Sequence, residues 1–253
     1  RYNDGRMVTR AALQADSPPD ANPGIAARSL TLWRKRCLGW QRDDLDRALA
    51  CFTFVADATT LAGACRFAGD EQTLVARYDG LPFAAVAFHS LGETRERDDA
   101  SRRVAALTRR LVAPGEPFTC LVAEGDWPLL RAAYHVVETY PEWQMVFSAD
   151  PQELVPGDAV PLQESDLPAM RALAQRENML AFERDPLVRG PWYGVRHEGK
   201  LIAQGGTHLL LERAAEIGNI VTAAERRGEG YGSQVVAALL RELGGQGYVV
   251  FLH

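Results

Sequence analysis

The stretch that decides the fold is Ile217–Leu243, IGNIVTAAERRGEGYGSQVVAALLREL. Its first six residues, 217–222, are rich in β-branched side chains, which predicts a buried strand. A charged turn with glycines at 228, 230 and 232 follows. After Gly230, apolar side chains recur at helical spacing, which predicts an amphipathic helix; they are Val235, Val236, Leu239, Leu240 and Leu243. The order is therefore strand, glycine-rich turn, helix.

A turn of this kind suits a phosphate group. The first backbone N–H groups of a helix have no partner within the helix, and the helix dipole adds partial positive charge there. Glycines allow a phosphate to come close to the backbone. Arg226 and Arg227 add formal positive charge beside the turn. The sequence therefore predicts a pyrophosphate site at 227–233.

Two common nucleotide motifs do not fit this turn. There is no G-x-G-x-x-G in a βαβ unit with an acidic residue about 20 residues on, and no G-x-x-x-x-G-K-[ST]. The hexapeptide Arg227-Gly228-Glu229-Gly230-Tyr231-Gly232 resembles instead the [R/Q]-x-x-G-x-[G/A] pyrophosphate motif of the GNAT acyltransferases, which bind acetyl-CoA. The alternative is a glycine-rich turn that binds no ligand.

The resemblance implies a set of coenzyme contacts along one stretch of chain. Backbone groups of Ile220 and Val221 are expected to bond the pantetheine amide as an added strand would. The backbone N–H groups around the turn are expected to hold the pyrophosphate. The full set of expected coenzyme-binding residues is Ile220, Val221, Thr222, Arg227, Gly228, Glu229, Gly230, Tyr231, Gly232 and Ser233.

Acyl transfer to an amine needs a group that accepts a proton, and Glu216 is the first candidate. It precedes Gly218-Asn219, where a glycine in a strand indicates a bulge. Fourteen residues separate Glu216 from Gly230, as between the catalytic Glu and the Gly-x-Gly turn in histone acetyltransferases of the family. Burial is expected to raise its pKa. The alternative is a solvated carboxylate at a strand end.

Two further residues complete the expected chemistry. The N–H of Val221, or the side chain of Asn219, is expected to polarise the thioester carbonyl. His208 is a second candidate for the base, against the alternative of an ordinary residue on a sheet face. The resemblance also implies a tail, after the last strand, that often carries a Tyr acid, and the sequence ends at His253 before such a tail.

Composition excludes several classes of protein. A net charge of −5 argues against a nucleic-acid-binding protein, although Arg34–Arg36 form a basic segment. We predict an amphipathic helix there instead. No apolar run reaches the ~18 residues of a membrane span. The four cysteines and five histidines show no metal-ligand spacing. We expect a cytoplasmic protein without metal or secretion signal, and a possible homodimer.

Three segments are expected. Residues 1–27 are predicted to be a flexible lead-in, and residues 28–150 a degenerate α/β domain. The second domain is predicted to be a GNAT-like mixed sheet with helices on both faces, over residues 157–253. Within the first domain, Asp79-Gly80 predicts a hairpin over 72–89, and Leu61–Phe67 looks helical.

The two-domain order resembles relatives of the glycine N-acyltransferases. The function this implies is an N-acetyltransferase that moves an acetyl group from acetyl-CoA to the amine of a small molecule or amino acid. Two alternatives stay open: a non-catalytic acyl-CoA-binding module, and an acyltransferase that uses a longer acyl chain.

Overall fold

The computed structural model describes residues 6–14, 25–91, 97–179, 182 and 185–253. The chain divides into two compact units, with the division between Trp143 and Gln144. We expected a junction at 150–157, a few residues further on.

The N-terminal unit is a mixed sheet with helices. Its sheet order is β2-β3-β4-β5-β1, antiparallel except for the parallel pair β4–β5. The elements are β1 (Arg6–Gln14), α1 (Ala27–Asp43), α2 (Leu45–Ala50), α3 (Phe52–Thr59), β2 (Cys65–Gly69), β3 (Thr73–Tyr78), β4 (Ala84–Ser90), α4 (Arg97–Thr108), β5 (Pro117–Ala123), α5 (Trp127–Ala133) and most of β6 (His135–Val146).

Two expectations for this unit were wrong. Residues 6–14 lie in β1, which pairs with β5 from Val8–Ala123 to Gln14–Pro117, rather than in a lead-in. Residues 1–5 and 15–24 of that predicted lead-in lie outside the described residues. Leu61–Phe67 was expected to be helical, but its last three residues belong to strand β2. There the buried Phe67 pairs with Ala76 of β3. The predicted hairpin is present as β3 and β4.

The basic segment of the N-terminal unit forms part of α1. One face of this helix is buried at four-residue spacing, with Ser29, Trp33, Cys37 and Gln41. The Arg36 guanidinium lies 4.9 Å from the Trp33 ring centroid and donates to the Glu71 carbonyl at 2.7 Å. The amphipathic helix predicted for this segment is therefore confirmed, and Arg36 is engaged within the unit.

The C-terminal unit is a mixed sheet that carries the glycine-rich turn. The sheet order, from the end of β6, is β6-β11-β10-β9-β8-β7, and only β10–β11 is parallel. The elements are β7 (Val160–Pro161), α6 (Leu167–Arg176), β8 (Trp192–His197), β9 (Lys200–Leu210), β10 (Ala214–Thr222), α7 (Tyr231–Gly245) and β11 (Val249–Leu252).

Helices cover both faces of this second sheet, as predicted. Successive side chains of a strand point to opposite faces. The Gln204 amide donates to the Met170 carbonyl of α6 at 3.1 Å, whereas a Cβ built on the next residue, Gly205, would lie 3.0 Å from Val235 of α7. The two helices therefore lie on opposite sides of β9. The predicted mixed α/β architecture is confirmed.

Close packing explains the Gly205-Gly206 pair of β9. A Cβ on Gly205 would lie 2.2 Å from Ile220, and one on Gly206 would lie 2.1 Å from the Trp192 ring. Any larger residue would displace these side chains.

The helices in the described ranges are all too short or too polar to span a membrane.

Candidate functional site

The glycine-rich turn adopts a conformation that only glycine reaches without strain. Gly228 has φ 83° and Gly230 has φ 84°, in the left-handed region. A Cβ built on either glycine would meet no atom within 4 Å. The backbone of this turn therefore faces open space, and helix α7 begins directly after it at Tyr231.

The start of α7 presents a row of backbone donors. The Gln234 N–H bonds to the Gly230 carbonyl at 3.1 Å, so the N–H groups before Gln234 precede the helical hydrogen-bond ladder. No acceptor for the N–H groups of residues 228–233 is found in the described part of the chain. We call this group of amides, Gly228 to Ser233, the amide nest. Its geometry fits an anion with several oxygens.

The two arginines beside the nest are already held by carboxylates. Arg227 lies 2.6 Å from an oxygen of Glu177 and donates to the Thr222 carbonyl at 3.1 Å. Arg226 lies 3.2 Å from Glu229 and donates to the Tyr231 hydroxyl at 2.9 Å. The charge expected from these arginines is therefore partly neutralised, and the backbone amides are the main donors.

Glu177 braces the turn from the end of α6. Its side chain is only 5% exposed. One carboxylate oxygen accepts from the Ala224 N–H at 3.2 Å and the other from Arg227. Glu177 therefore ties both ends of the short segment that leads from β10 to the nest. Sequence reasoning missed this residue, which lies 50 positions before Arg227.

Strand β10 carries the bulge that its glycine predicts. Its register with β9 shifts between Gly218 and Val221, and Asn219 has a left-handed φ of 54°. Asn tolerates this conformation better than most residues. On the other side, β10 pairs with β11 only from Ala214 to Glu216. Among the described residues, 217–222 pair along the edge toward β9.

Glu216 lies at the start of this irregular part of β10, between two imidazoles. Its side chain is 6% exposed. The His253 Nδ1 lies 2.8 Å from Oε1 in a hydrogen bond. The His208 Nδ1 lies 3.1 Å from Oε2, a close contact that is less well aligned. The three side chains form a buried cluster, which we call the carboxylate–imidazole cluster.

The environment of Glu216 lowers its pKa, which corrects our expectation. Burial alone would raise the pKa of this carboxyl, but the charge and close contact of His208, and then the hydrogen bond and charge of His253, outweigh burial and bring the pKa to about 2. We expected a raised value because the sequence showed the burial but not the imidazoles. Glu216 is also not the solvated carboxylate of the alternative.

His253 is a second residue that sequence reasoning missed. Its Nε2 lies 3.2 Å from the Gln144 side-chain nitrogen, so both ring nitrogens have partners. The parallel pairing of Glu216 with Phe251 brings His253 beside β10. Pairing the two predicted strands, 216–222 and 248–252, in this register would have placed His253 near Glu216. Among the described residues, no group of three or more side chains is arranged to hold a metal ion.

The C-terminal unit is similar in sequence to a known protein family. The Acetyltransferase (GNAT) family matches residues 158–253. No curated protein matches the chain. A GCN5-related N-acetyltransferase from Kribbella flavida is 13% identical over 80% of this chain and 84% of that one, with a TM-score of 0.57. That likeness shows a shared fold that extends beyond residues 158–253.

Two other solved structures match a smaller part. One, an acetyltransferase of the GNAT family from Novosphingobium aromaticivorans whose name carries the word "Putative", is 27% identical over 43% of this chain, with a TM-score of 0.41. The match spans 49% of that protein's length. Another, from Mycobacterium tuberculosis in complex with CoA, is 21% identical over 37% of this chain and 62% of that one, with a TM-score of 0.34.

Residues 158–253 therefore match the GNAT acetyltransferase family in sequence. The hexapeptide Arg227–Gly232 resembles the pyrophosphate motif of the same family.

Proposed function

We propose that the protein transfers an acyl group, an acetyl group in the first instance, from acyl-CoA to the amine of a small molecule or amino acid. The observation that carries this proposal is the amide nest. Its six consecutive backbone N–H groups lie where a helix begins and have no acceptor within the described residues, and a Cβ on Gly228 or Gly230 would meet no atom within 4 Å. A pyrophosphate supplies the oxygens that such donors need.

The proposed path of the coenzyme follows β10 away from the nest. Ile220, Val221 and Thr222 lie between the nest and Glu216. Their strand edge opposite β9 lies beyond the pairing of β10 with β11, which ends at Glu216, so we propose that it bonds the amides of a pantetheine arm. The seven strand residues from Glu216 to Thr222 span ~20 Å, a distance of the order of an extended pantetheine arm.

This path brings the reacting thioester toward the carboxylate–imidazole cluster. Asn219 and the Val221 N–H lie at the bulge beside it, and we propose that one of them donates to the thioester carbonyl. The cluster supplies the proton acceptor that an ammonium substrate requires before it can attack. The four cysteines are free, and a reducing, cytoplasmic setting is part of the proposal.

A panel of amines tests the proposal directly. The purified protein is incubated with acetyl-CoA and each amine, and release of the CoA thiol is followed with a thiol reagent. Calorimetry with acetyl-CoA measures binding separately. We expect saturable binding and amine-dependent thiol release, with butyryl-CoA as the test for longer chains. Protein that does not bind acetyl-CoA would refute the proposal, and binding without turnover on any amine would indicate a binding module.

A further inference from the structure

We propose that His208 is the proton acceptor of this site and that Glu216 is a positioning residue that holds its ring. The inference rests on the acyl transfer proposed above. It differs from the expectation that Glu216 itself takes the proton.

A bulge on β9 brings His208 to Glu216. Glu216 pairs with Leu209 and the next residue, Ile217, pairs with Thr207, so β9 has one extra residue here, His208, at the register shift between Glu216 and Ile217. In a regular ladder, His208 would point away from the face that Leu209 and Glu216 share. Bulges re-aim a side chain in this way, often beside active sites.

Gly218 makes room for the imidazole. A Cβ built on Gly218 would lie 3.2 Å from the Cβ of His208 and 3.6 Å from its Nδ1. A larger residue at 218 would therefore crowd the ring. The glycine of β10 and the bulge of β9 together place one nitrogen of His208 at 3.1 Å from the Glu216 carboxylate.

Exposure separates the two imidazoles of the cluster. The His208 side chain is 26% exposed, whereas that of His253 is 6% exposed. His253 also has partners at both ring nitrogens, Glu216 and Gln144. An amine substrate can therefore reach His208 from solvent, while His253 is enclosed. His253 holds the carboxylate in place from the buried side.

The carboxylate sets which nitrogen of His208 is basic. An ionised carboxylate only accepts hydrogen bonds, so the nitrogen that faces it carries the hydrogen. In the neutral ring, Nδ1 then carries the proton and Nε2 carries the lone pair. The negative charge of Glu216 also stabilises the imidazolium that forms when Nε2 takes up a proton.

The proton balance of the reaction closes on His208. The amine nitrogen forms a bond to the acyl carbon, and the carbon–sulfur bond breaks with its electron pair on the CoA sulfur. A neutral amine loses one proton from its attacking nitrogen, which His208 Nε2 accepts; an ammonium substrate first gives up a further proton, which leaves to solvent. The departing thiolate takes up one proton, which the imidazolium returns directly or through solvent. His208 is thus neutral again after each turnover.

Rescue by imidazole tests the inference in the whole protein. His208→Ala is expected to lower kcat by ~100-fold or more, with KM for acetyl-CoA within about twofold of the native value. Added imidazole is expected to restore at least ~10-fold of the loss, because it can enter the space at a partly exposed side chain. His197→Ala, at an exposed histidine of β8, is the control and is expected to show neither effect.

A spectroscopic measurement keeps this inference separate from the proposed function. Nitrogen-15 NMR of the histidine rings reports which nitrogen carries the hydrogen, without any substrate. We expect His208 with its hydrogen on Nδ1 in native protein, and a mixture of tautomers in Glu216→Gln. Hydrogen on Nε2, or a fully active His208→Ala, would overturn the inference. Native protein that shows no turnover would overturn the proposed function. The position of the ring hydrogen on His208 would still test whether Glu216 orients this ring.

Discussion

The two ends of strand β10 bind their proposed partners in opposite ways. At the Thr222 end, the amide nest is built of backbone groups in an exposed turn, with glycines at φ 83° and 84°. At the Glu216 end, the carboxylate–imidazole cluster is built of side chains, and Glu216 is 6% exposed. Backbone N–H groups are present in nearly every residue type and suit a large anion with several oxygens. Enclosed side chains with defined hydrogen-bond partners suit the transfer of one proton.

The difference predicts that the buried end contributes more to stability. Glu216→Ala removes the carboxylate that lies between His208 and His253, at a cost of ~3 kcal/mol in the free energy of unfolding. The control at the exposed end is Glu229→Ala, whose side chain is 43% exposed, and its cost is expected to stay below ~0.5 kcal/mol. Urea denaturation measures both, and equal losses would contradict the comparison.

The pH dependence of stability sharpens the same contrast. The pKa of Glu216 lies at about 2, below its ordinary value of 4.5. The unfolded chain therefore binds this proton at higher pH than the folded chain does. The stabilisation is complete above pH 4.5 and is lost as the pH falls toward 2. It amounts to ~3 kcal/mol.

Denaturation of native protein and Glu216→Gln at several pH values measures this effect. The stability gap between the two proteins is expected to shrink as the pH falls through that range. A gap that stays constant from pH 5 to pH 2 would contradict the account.

The contrast also explains what the sequence could predict. The nest depends on local chemistry, since a β-branched run, three glycines and an apolar stripe lie within 27 consecutive residues, and all were predictable. The bulge followed from Gly218-Asn219. The cluster depends on residues 208, 216 and 253, which meet only through strand register. The pKa of Glu216 was therefore predicted in the wrong direction, because burial was visible and the imidazoles were not.

Strand β1 was missed for a related physical reason. Its sequence, RMVTRAALQ, is polar in part and follows no strong alternation. Its pairing with β5 comes from a partner more than 100 residues away. Glu177 is a similar case, because its role depends on the place where α6 ends. Long-range contacts of this kind leave no periodic pattern in a single sequence.

At the exposed end, a methyl group tests the nest. Gly230→Ala places an alanine at φ 84°, which costs ~1–2 kcal/mol of strain, and is expected to weaken acetyl-CoA binding ~10-fold because the nest is distorted. Gly247→Ala is a matched control, since Gly247 has φ 87° and open space around it beyond the far end of α7. It is expected to lose similar stability and no affinity, as calorimetry can show. Equal affinities for the two variants would contradict the nest.

The smallest expected effect concerns the brace of the nest. Glu177→Gln weakens the contact to Arg227 while it keeps an oxygen for the Ala224 N–H. KM for acetyl-CoA is expected to rise about threefold with kcat nearly unchanged. Glu225→Gln, at a carboxylate that is 64% exposed, is the control. A kcat loss larger than the change in KM would place Glu177 in the chemistry instead.

The central claim is that the amides of Gly228–Ser233 hold the coenzyme's pyrophosphate. Proton–nitrogen NMR of labelled protein, titrated with CoA, tests it most directly. The account predicts that the amide signals of Gly228, Gly230, Gly232 and Ser233 shift together as a strong acceptor binds them, while that of Gly247 stays in place. Saturable CoA binding that leaves these four signals unmoved would contradict the account.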